Sequence, residues 1–282
     1  MVFKGGTSLS KVFGLIDRFS EDIDLILDWR LLGYGEDDPY QGSRSKTQQG
    51  RYNQERNARA AGYIRDTLLP QLDHLFSSVP GITAGLDDTD PHTVNVLYPA
   101  AFAAQYIRPA VRLEIGPLAS WVPSSNRTIT AYAAESFPDA FSDPVCAVIA
   151  IEAERTFWEK ATILHQEAHR PGIIPSRYSR HYYDLYKLAS SPVKRVALAD
   201  VVLLKAVVEF KERFCYSSWA HYDLATPGTF RLTPPERQLA TLKQDYAAMC
   251  EMFYRGPPEF RTILEGLVEL EQEINNTPNS QN

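Results

Sequence analysis

Two aspartates one residue apart, Asp22 and Asp24, are the first residues in this chain whose type and spacing can do chemistry. In a strand, residues i and i+2 share a face, so Ser20, Asp22 and Asp24 point together while Ile23 and Leu25 turn into a core. Carboxylates roughly 7 Å apart along a strand can share two metal ions about 3.5–4 Å from each other. Without a cation or solvent between them, like charges so placed repel. Just upstream, the stretch FKGGTSLSK (residues 3–11) reads as strand, glycine turn and helix. Glycine lets backbone amides approach an anion, and a helix N-terminus offers unpaired N–H groups with partial positive charge. Gly5 and Gly6 form the turn, Thr7 and Ser8 add hydroxyls, and Lys11 adds a cation about one turn into the helix. It is not a Walker P-loop, because Ser10 stands where glycine must precede the lysine, and the dinucleotide glycine fingerprint is missing too. A structural tight turn and a solvated strand edge are the plain alternatives, and spacing alone leaves them open. An anion turn one short helix ahead of a metal-type acid pair favours the chemical reading.

These residues need elements to hold them. A strand stub over Met1–Phe3 precedes a short helix with Leu9, Val12, Phe13 and Ile16 at helical spacing, and Asp22–Leu27 reads as a strand. A long helix is expected over 52–76, with Tyr63, Leu68, Leu72 and Leu75 buried. Val94–Tyr98 and Val111–Ile115 read as further strands, the second with Val111, Leu113 and Ile115 on one face and Arg112 and Glu114 on the other. From about residue 145 the pattern turns helical, with breaks at Arg170-Pro171-Gly172 and Thr226-Pro227-Gly228. The last stripe, Leu239, Leu242, Tyr246, Met249 and Phe253, then Phe260, Ile263, Leu267, Leu270 and Ile274, predicts an antiparallel helical hairpin turned by Gly256-Pro257-Pro258. The expected class is α+β, with a mixed domain over 1–144, a helical domain over 145–274 and a disordered tail over 275–282.

With 282 residues, 44% apolar and 23% charged, the chain can bury a substantial core. Its longest apolar run, Val145–Ile151, is far short of the roughly 20 residues of a membrane helix, and no charged-then-apolar leader opens it. A soluble, cytoplasmic protein without membrane contact is expected. Three cysteines, Cys146, Cys215 and Cys250, lie too far apart for a zinc knuckle or disulfide framework, so reduced, buried thiols are expected. The net charge of −6 conceals two basic segments, Arg44–Arg65 and Arg170–Arg195, each with six cations against one acid. Such asymmetry suits a polyanion-binding cleft as well as it suits two solvated helix faces.

GGTSLSK followed by RFSEDIDL resembles the nucleotidyltransferase fold, and more closely the AbiEii-type toxins of abortive-infection and toxin–antitoxin systems, MenT-like toxins included. ERTFWEKATILH (154–165), SRHYYDLYKL (179–188) and the closing helices extend the resemblance over nearly the whole chain. It implies a nucleotidyltransferase-fold mixed sheet followed by a helical half. Asp22 and Asp24 would hold Mg2+ or Mn2+, with Glu114 as third carboxylate. Gly5, Gly6, Thr7, Ser8, Lys11 and Ser20 would hold a nucleoside triphosphate, and Lys160 and Asp184 would act in catalysis. The reaction implied is nucleotide transfer from the triphosphate to RNA, notably a tRNA 3′ end, in phage defence, with a cognate AbiEi-type antitoxin as partner. Arg51, Arg56, Arg59, Arg177 and Arg180, from the two basic segments, would line opposite walls of an RNA groove. The family carries a helical segment before the first strand, whereas Met1-Val2 alone stand ahead of Phe3, so the start lies further upstream or a piece of scaffold is lacking.

Other readings stand beside this one. Lys160, sharing a helix face with Thr156, Ile163 and Leu164, can be an ordinary snorkelling lysine, and Arg180 with Asp184 an ordinary i,i+4 ion pair. His165 and His169 suggest a zinc hydrolase, but Gln166 follows the first histidine where the zincin pattern needs glutamate, and Glu167 faces away. A kinase-like phosphotransferase acting on a protein such as the antitoxin could use the same site. So could a module that binds nucleotide without catalysis.

Overall fold

The computed structural model describes residues 1–20, 22–37, 40–99 and 110–278. The chain forms two compact units, Met1–Val12 with Ser20–Ile151 and Phe13–Phe19 with Glu152–Asn282.

The first unit opens with β1 (Val2–Lys4), α1 (Gly5–Lys11) and β2 (Asp22–Ile26). The helix expected to reach Ile16 stops at Lys11, and Gly14 takes a left-handed φ of 61° soon after. Next comes α2 (Lys46–Tyr63), whose Ser45 hydroxyl accepts from the Gln48 N–H while the Gln48 side chain accepts from the Ser45 N–H. It continues through a π-helical turn, Ile64–Leu68, into α3 (Leu69–Phe76). Pro70 has no N–H to donate and crowds the preceding turn, and the wider turn accommodates it inside one helical rod. Leu68 and Leu72 pack on the core as expected, whereas Leu75 lies 64% exposed.

The remaining strands are β3 (Thr83–Leu86), β4 (Thr93–Leu97), β5 (Ala110–Gly116), β6 (Ser124–Thr130) and β7 (Val145–Ile151), with α4 (Tyr132–Ser136) after β6. They join β1 and β2 in one mixed sheet ordered β3-β4-β5-β2-β1-β7-β6. The segment from residue 145, expected to be helical, is therefore a strand, paired antiparallel with β6 and parallel with β1. Its β-branched Val145, Val148, Ile149 and Ile151 suit a pleated surface.

One face of the sheet carries Leu25, Val94, Leu113 and Ile115 against Ala60 and Ile64. The opposite face carries Val2, Ile26, Ala119 and Ile151. By strand alternation Asp22 and Asp24 share the side of Ile26, away from the long helix.

The second unit is helical: α5 (Ala153–Ala168), α6 (Ser179–Ala189), α7 (Val193–Ala199), α8 (Val201–Phe214), α9 (Glu236–Ala248) and α10 (Phe260–Asn275). The middle helix is α5, packed by α6, α7 and α8. Both α9 and α10 pack chiefly on α6, so the expected hairpin is a pair of helices clasping a third. Asp245 of α9 accepts from the backbone N–H groups of Arg177 and Ser179, which caps α6 from outside its own sequence. Phe13–Phe19 forms a strap within this unit. Ile16 is buried, the Phe19 N–H donates to the Met252 carbonyl at 2.7 Å, and the Tyr254 N–H donates to the Asp17 carbonyl at 3.0 Å.

The tail is expected to open at residue 275, which is still helical. Asn275 ends α10 and its side chain accepts from the N–H groups of Gly228 and Phe230 and donates to the Phe230 carbonyl; residues 279–282 lie outside those described. The three cysteines are free but exposed rather than buried, Cys146 on the outer part of β7 and the others just beyond α8 and α9. Among the described residues no helix is long and apolar enough to cross a membrane.

Candidate active site

Strand register assembles the acidic face. Asp22 lies opposite Arg112 and Asp24 opposite Glu114 in the parallel β2–β5 ladder, while Lys4 of β1 lies opposite Asp24 on its other side. Paired residues on strands about 4.8 Å apart point the same way, so Asp22, Asp24 and Glu114 share one surface. The sequence places all three acids correctly as to face, and β5 is an interior strand between β4 and β2.

Arg112, to which the sequence assigned no function, is the cation that makes this face tolerable. Its guanidinium lies 3.3 Å from Asp22, 3.5 Å from Glu114 and 3.1 Å from Asp87. Asp87 is in turn fixed by the Thr89 hydroxyl at 2.7 Å, the Asn95 amide at 3.1 Å and the Thr89 N–H at 3.0 Å. These donors, with the Arg112 charge, hold the Asp87 carboxyl well below the usual carboxylate range. Only the Arg112–Glu114 alternation hinted at this in the sequence, and Asp87 gave no signal.

The glycine turn meets this face from the end of β1. Gly5 has φ +74°, and a Cβ built on it would overlap the Asp24 carboxylate. Gly6 is buried within α1. The Thr7 hydroxyl donates to the Asp22 carbonyl at 2.5 Å and the buried Ser8 hydroxyl donates to the Gly5 carbonyl at 3.3 Å, so both brace the turn from within. Ser20 is half-buried just ahead of β2. The Lys11 ammonium donates to the Thr130 carbonyl at 2.8 Å and sits over the Tyr132 ring. Burial lowers its pKa, against the opposing pull of Glu135.

Oxygen donors from aspartates on one face are the donor set that hard divalent cations prefer, so Asp22 and Asp24 fit Mg2+ or Mn2+ chemically. Among the described residues no group of three donors converges closely enough to hold a metal, and Arg112 spans Asp22 and Glu114.

Lys160 and Asp184 meet in the second unit, where two residues to which the sequence assigned no role join them. Arg18 of the strap forks onto Asp184, Nε to Oδ1 at 2.7 Å and Nη2 to Oδ2 at 2.8 Å, and Lys160 reaches Oδ2 at 2.9 Å. The Lys160 ammonium also lies 3.0 Å from Nδ1 of His181. An ammonium can only donate, so that nitrogen accepts and the imidazole proton sits on Nε2. Burial would push the Asp184 carboxyl up, but Arg18 and Lys160 outweigh it and hold it well below the usual range. Burial depresses Lys160, with Asp184 pulling the other way. His181 is kept neutral by burial and by the neighbouring Lys160 and Arg180 charges.

The arginines divide. Arg51 and Arg59 are exposed on α2, Arg59 paired with Glu55 at 2.7 Å. Arg56, expected to face RNA, is 1% exposed. It is caged by the rings of Trp29, Tyr34 and Tyr52 at 4.9–5.4 Å and donates to the Tyr52 hydroxyl, so it is a packing residue. Arg177 is exposed with φ +66°, and Arg180 is half-buried beside the Lys160 cluster.

The structure also removes the zinc-hydrolase alternative. His165 is fully buried; its Nδ1 accepts from the Arg231 N–H at 3.0 Å and its Nε2 donates to the His221 carbonyl at 2.9 Å, which leaves no lone pair for a metal.

The family model described as nucleotidyl transferase AbiEii toxin, type IV toxin–antitoxin system, matches residues 1–266. Among solved structures the chain is similar to MenT4, a nucleotidyltransferase toxin from Mycobacterium tuberculosis H37Rv, with 17% identity and a TM-score of 0.41 over 97% of this chain and 84% of that one. No protein with a curated description matches it.

Proposed function

Since the chain belongs to the AbiEii nucleotidyl transferase toxins of type IV toxin–antitoxin systems, we propose that it transfers a nucleoside monophosphate from a triphosphate to the 3′ hydroxyl of an RNA, a tRNA end above all. The observation that carries this reading is the register of β2 on β5, which sets Asp22, Asp24 and Glu114 on one sheet face beside the Gly5 turn.

Asp22 and Asp24 would hold the divalent ion, which when bound supplies charge neutralisation for the triphosphate and activation of the acceptor hydroxyl. The chain's own residues do the remaining work. Gly5 leaves room for the Asp24 carboxylate beside the turn, Lys160 would offer its ammonium to a phosphate, and Glu114 would take the acceptor's proton. The acceptor oxygen attacks the α-phosphorus, the bond from that phosphorus to the β-phosphate bridging oxygen breaks, and pyrophosphate leaves. Exposed Arg51 and Arg59 in the first unit and Arg177 and Arg180 in the second would take RNA phosphates. The setting would be the cytoplasm, with an AbiEi-type antitoxin restraining the toxin and phage infection as the occasion for its release.

Incubating the protein with total RNA and triphosphates labelled at the α or the γ phosphorus tests this directly. Label from the α position in RNA, abolished by EDTA, is expected. Transfer of the γ label to a protein acceptor would replace the reading with phosphoryl transfer, and no transfer of either would leave a nucleotide-binding module.

A further inference from the structure

Asp184 is buried with its carboxylate committed to two cations. Its side chain is 0% exposed, Oδ1 takes the Arg18 Nε–H, and Oδ2 takes both the Arg18 Nη2–H and the Lys160 ammonium. We propose that Arg18 is a positioning residue for the transfer reaction: its planar fork fixes the Asp184 carboxylate, which with His181 fixes the Lys160 ammonium. Asp184 is then a charge anchor and not an acid, a base or a metal ligand.

The geometry around Arg18 supports an organising part. Its strap is tied to the helix that carries Asp184 by two further contacts, Asp17 to Lys187 at 3.0 Å and the Asp17 N–H to the Tyr183 hydroxyl at 3.1 Å. An isolated antiparallel bridge pairs Arg18 itself with Phe253. A lysine at position 18 would keep the charge but lose the two parallel donors that fix a carboxylate's plane. The ammonium of Lys160 has three donors; among the described residues Asp184 and His181 take two of them, and the third would meet a phosphate oxygen. Arg18 stands four residues before Asp22, so the strap that links the glycine turn to the acid pair is the one that secures Lys160.

This inference rests on the nucleotidyl-transfer reading, and its test separates the two. Transfer of α-labelled nucleotide is measured at saturating and limiting triphosphate for the wild type, Arg18→Gln, Arg18→Lys, Asp184→Asn and the Arg18→Gln/Asp184→Asn double variant. Residues acting as one unit are non-additive. Arg18→Gln and Asp184→Asn should each lower kcat about 100-fold, the double variant should fall within about threefold of Asp184→Asn, and Arg18→Lys should recover at least about tenfold over Arg18→Gln. Multiplicative losses, or an Arg18→Lys protein no better than Arg18→Gln, overturn the proposal.

Because removing one partner of a buried pair can unfold a protein, the second readout uses no activity. In folded wild-type protein, 15N NMR should show a Lys160 ammonium signal protected from solvent exchange, displaced in Arg18→Lys. An unprotected signal, or one indifferent to Arg18→Lys, rejects the proposal. A wild-type protein that transfers no nucleotide sinks the functional reading, while the NMR comparison still decides whether Arg18 positions Lys160.

Discussion

Gly5 and Asp24 occupy one space: a Cβ at Gly5 would overlap the Asp24 carboxylate, and Gly5 already holds a left-handed φ of 74°. The glycine turn and the acid pair are therefore parts of one device, because the turn closes on β2 only where no side chain intervenes. The Thr7 hydroxyl on the Asp22 carbonyl braces the same closure.

Gly5→Ala should consequently act on structure and chemistry together. The left-handed conformation costs an L-residue about 1–2 kcal/mol, and the added methyl must displace Asp24. Lower stability by at least that amount in denaturant titration and a loss of transfer activity are expected. Wild-type stability with wild-type activity would show that β2 does not need this approach.

Removing charge from the acid pair tests the proposed metal. Asp22→Asn and Asp24→Asn should each cost several orders of magnitude in rate while leaving circular dichroism unchanged, since neither side chain is part of a packed core. Full turnover in either variant, or in wild-type protein treated with EDTA, rules out the role assigned to them.

Arg112 gives the metal a readout without activity. Replacing it by glutamine removes the cation that spans Asp22, Asp87 and Glu114, so repulsion on that face should lower the melting temperature. Added Mg2+ should restore part of the loss in Arg112→Gln and less in Arg112→Gln/Asp24→Asn, as ligand linkage requires. Equal responses to Mg2+ in both variants would mean that the ion binds elsewhere.

What the sequence made legible follows from range. The facing of Asp22 and Asp24, and of Arg112 and Glu114, is set by a period of two within each strand, so local spacing sufficed. That Asp24 neighbours Glu114 depends on pairing two segments far apart in the chain. No local pattern announces Arg18 as the partner of Asp184. Val145–Ile151 was misread because a continuous apolar run does not by itself distinguish strand from helix. Arg56 misled for another reason: it belongs to a basic run, and only the rings of Trp29 and Tyr34, distant in sequence, turn it inward.

Acid should weaken the fold through His165. Burial holds its pKa at about 4 against 6.5 for a free histidine. A lowered histidine leaves the unfolded chain binding more protons between those values, so stability is complete above about 6.5 and falls as pH drops toward 4. At pH 5 the loss from this one group is about 2 kcal/mol, and the depressed His181 adds to it in the same direction. Urea unfolding at pH 7.5 and pH 5 measures the difference, and an unchanged midpoint would mean that His165 is accessible to protons in the folded state.

RNA binding, finally, should obey a salt law that names its arginines. Each phosphate neutralised contributes about 0.7 to 0.9 to the slope of log affinity against log salt, depending on strand character. Arg51 and Arg59 are exposed on α2, so Arg51→Gln/Arg59→Gln should flatten the slope by about 1.4 to 1.8 without altering triphosphate affinity. To reach a phosphate Arg59 must release Glu55 and the Leu32 carbonyl, to which it donates at 3.2 Å; an exposed ion pair of that kind is worth at most about 1 kcal/mol and should yield. Arg56→Gln is the control: its guanidinium is caged by aromatic rings, so the slope should stay at the wild-type value while stability falls. If Arg56→Gln flattens the slope and Arg51→Gln/Arg59→Gln does not, or if wild-type affinity is indifferent to salt, this helix is not where RNA binds.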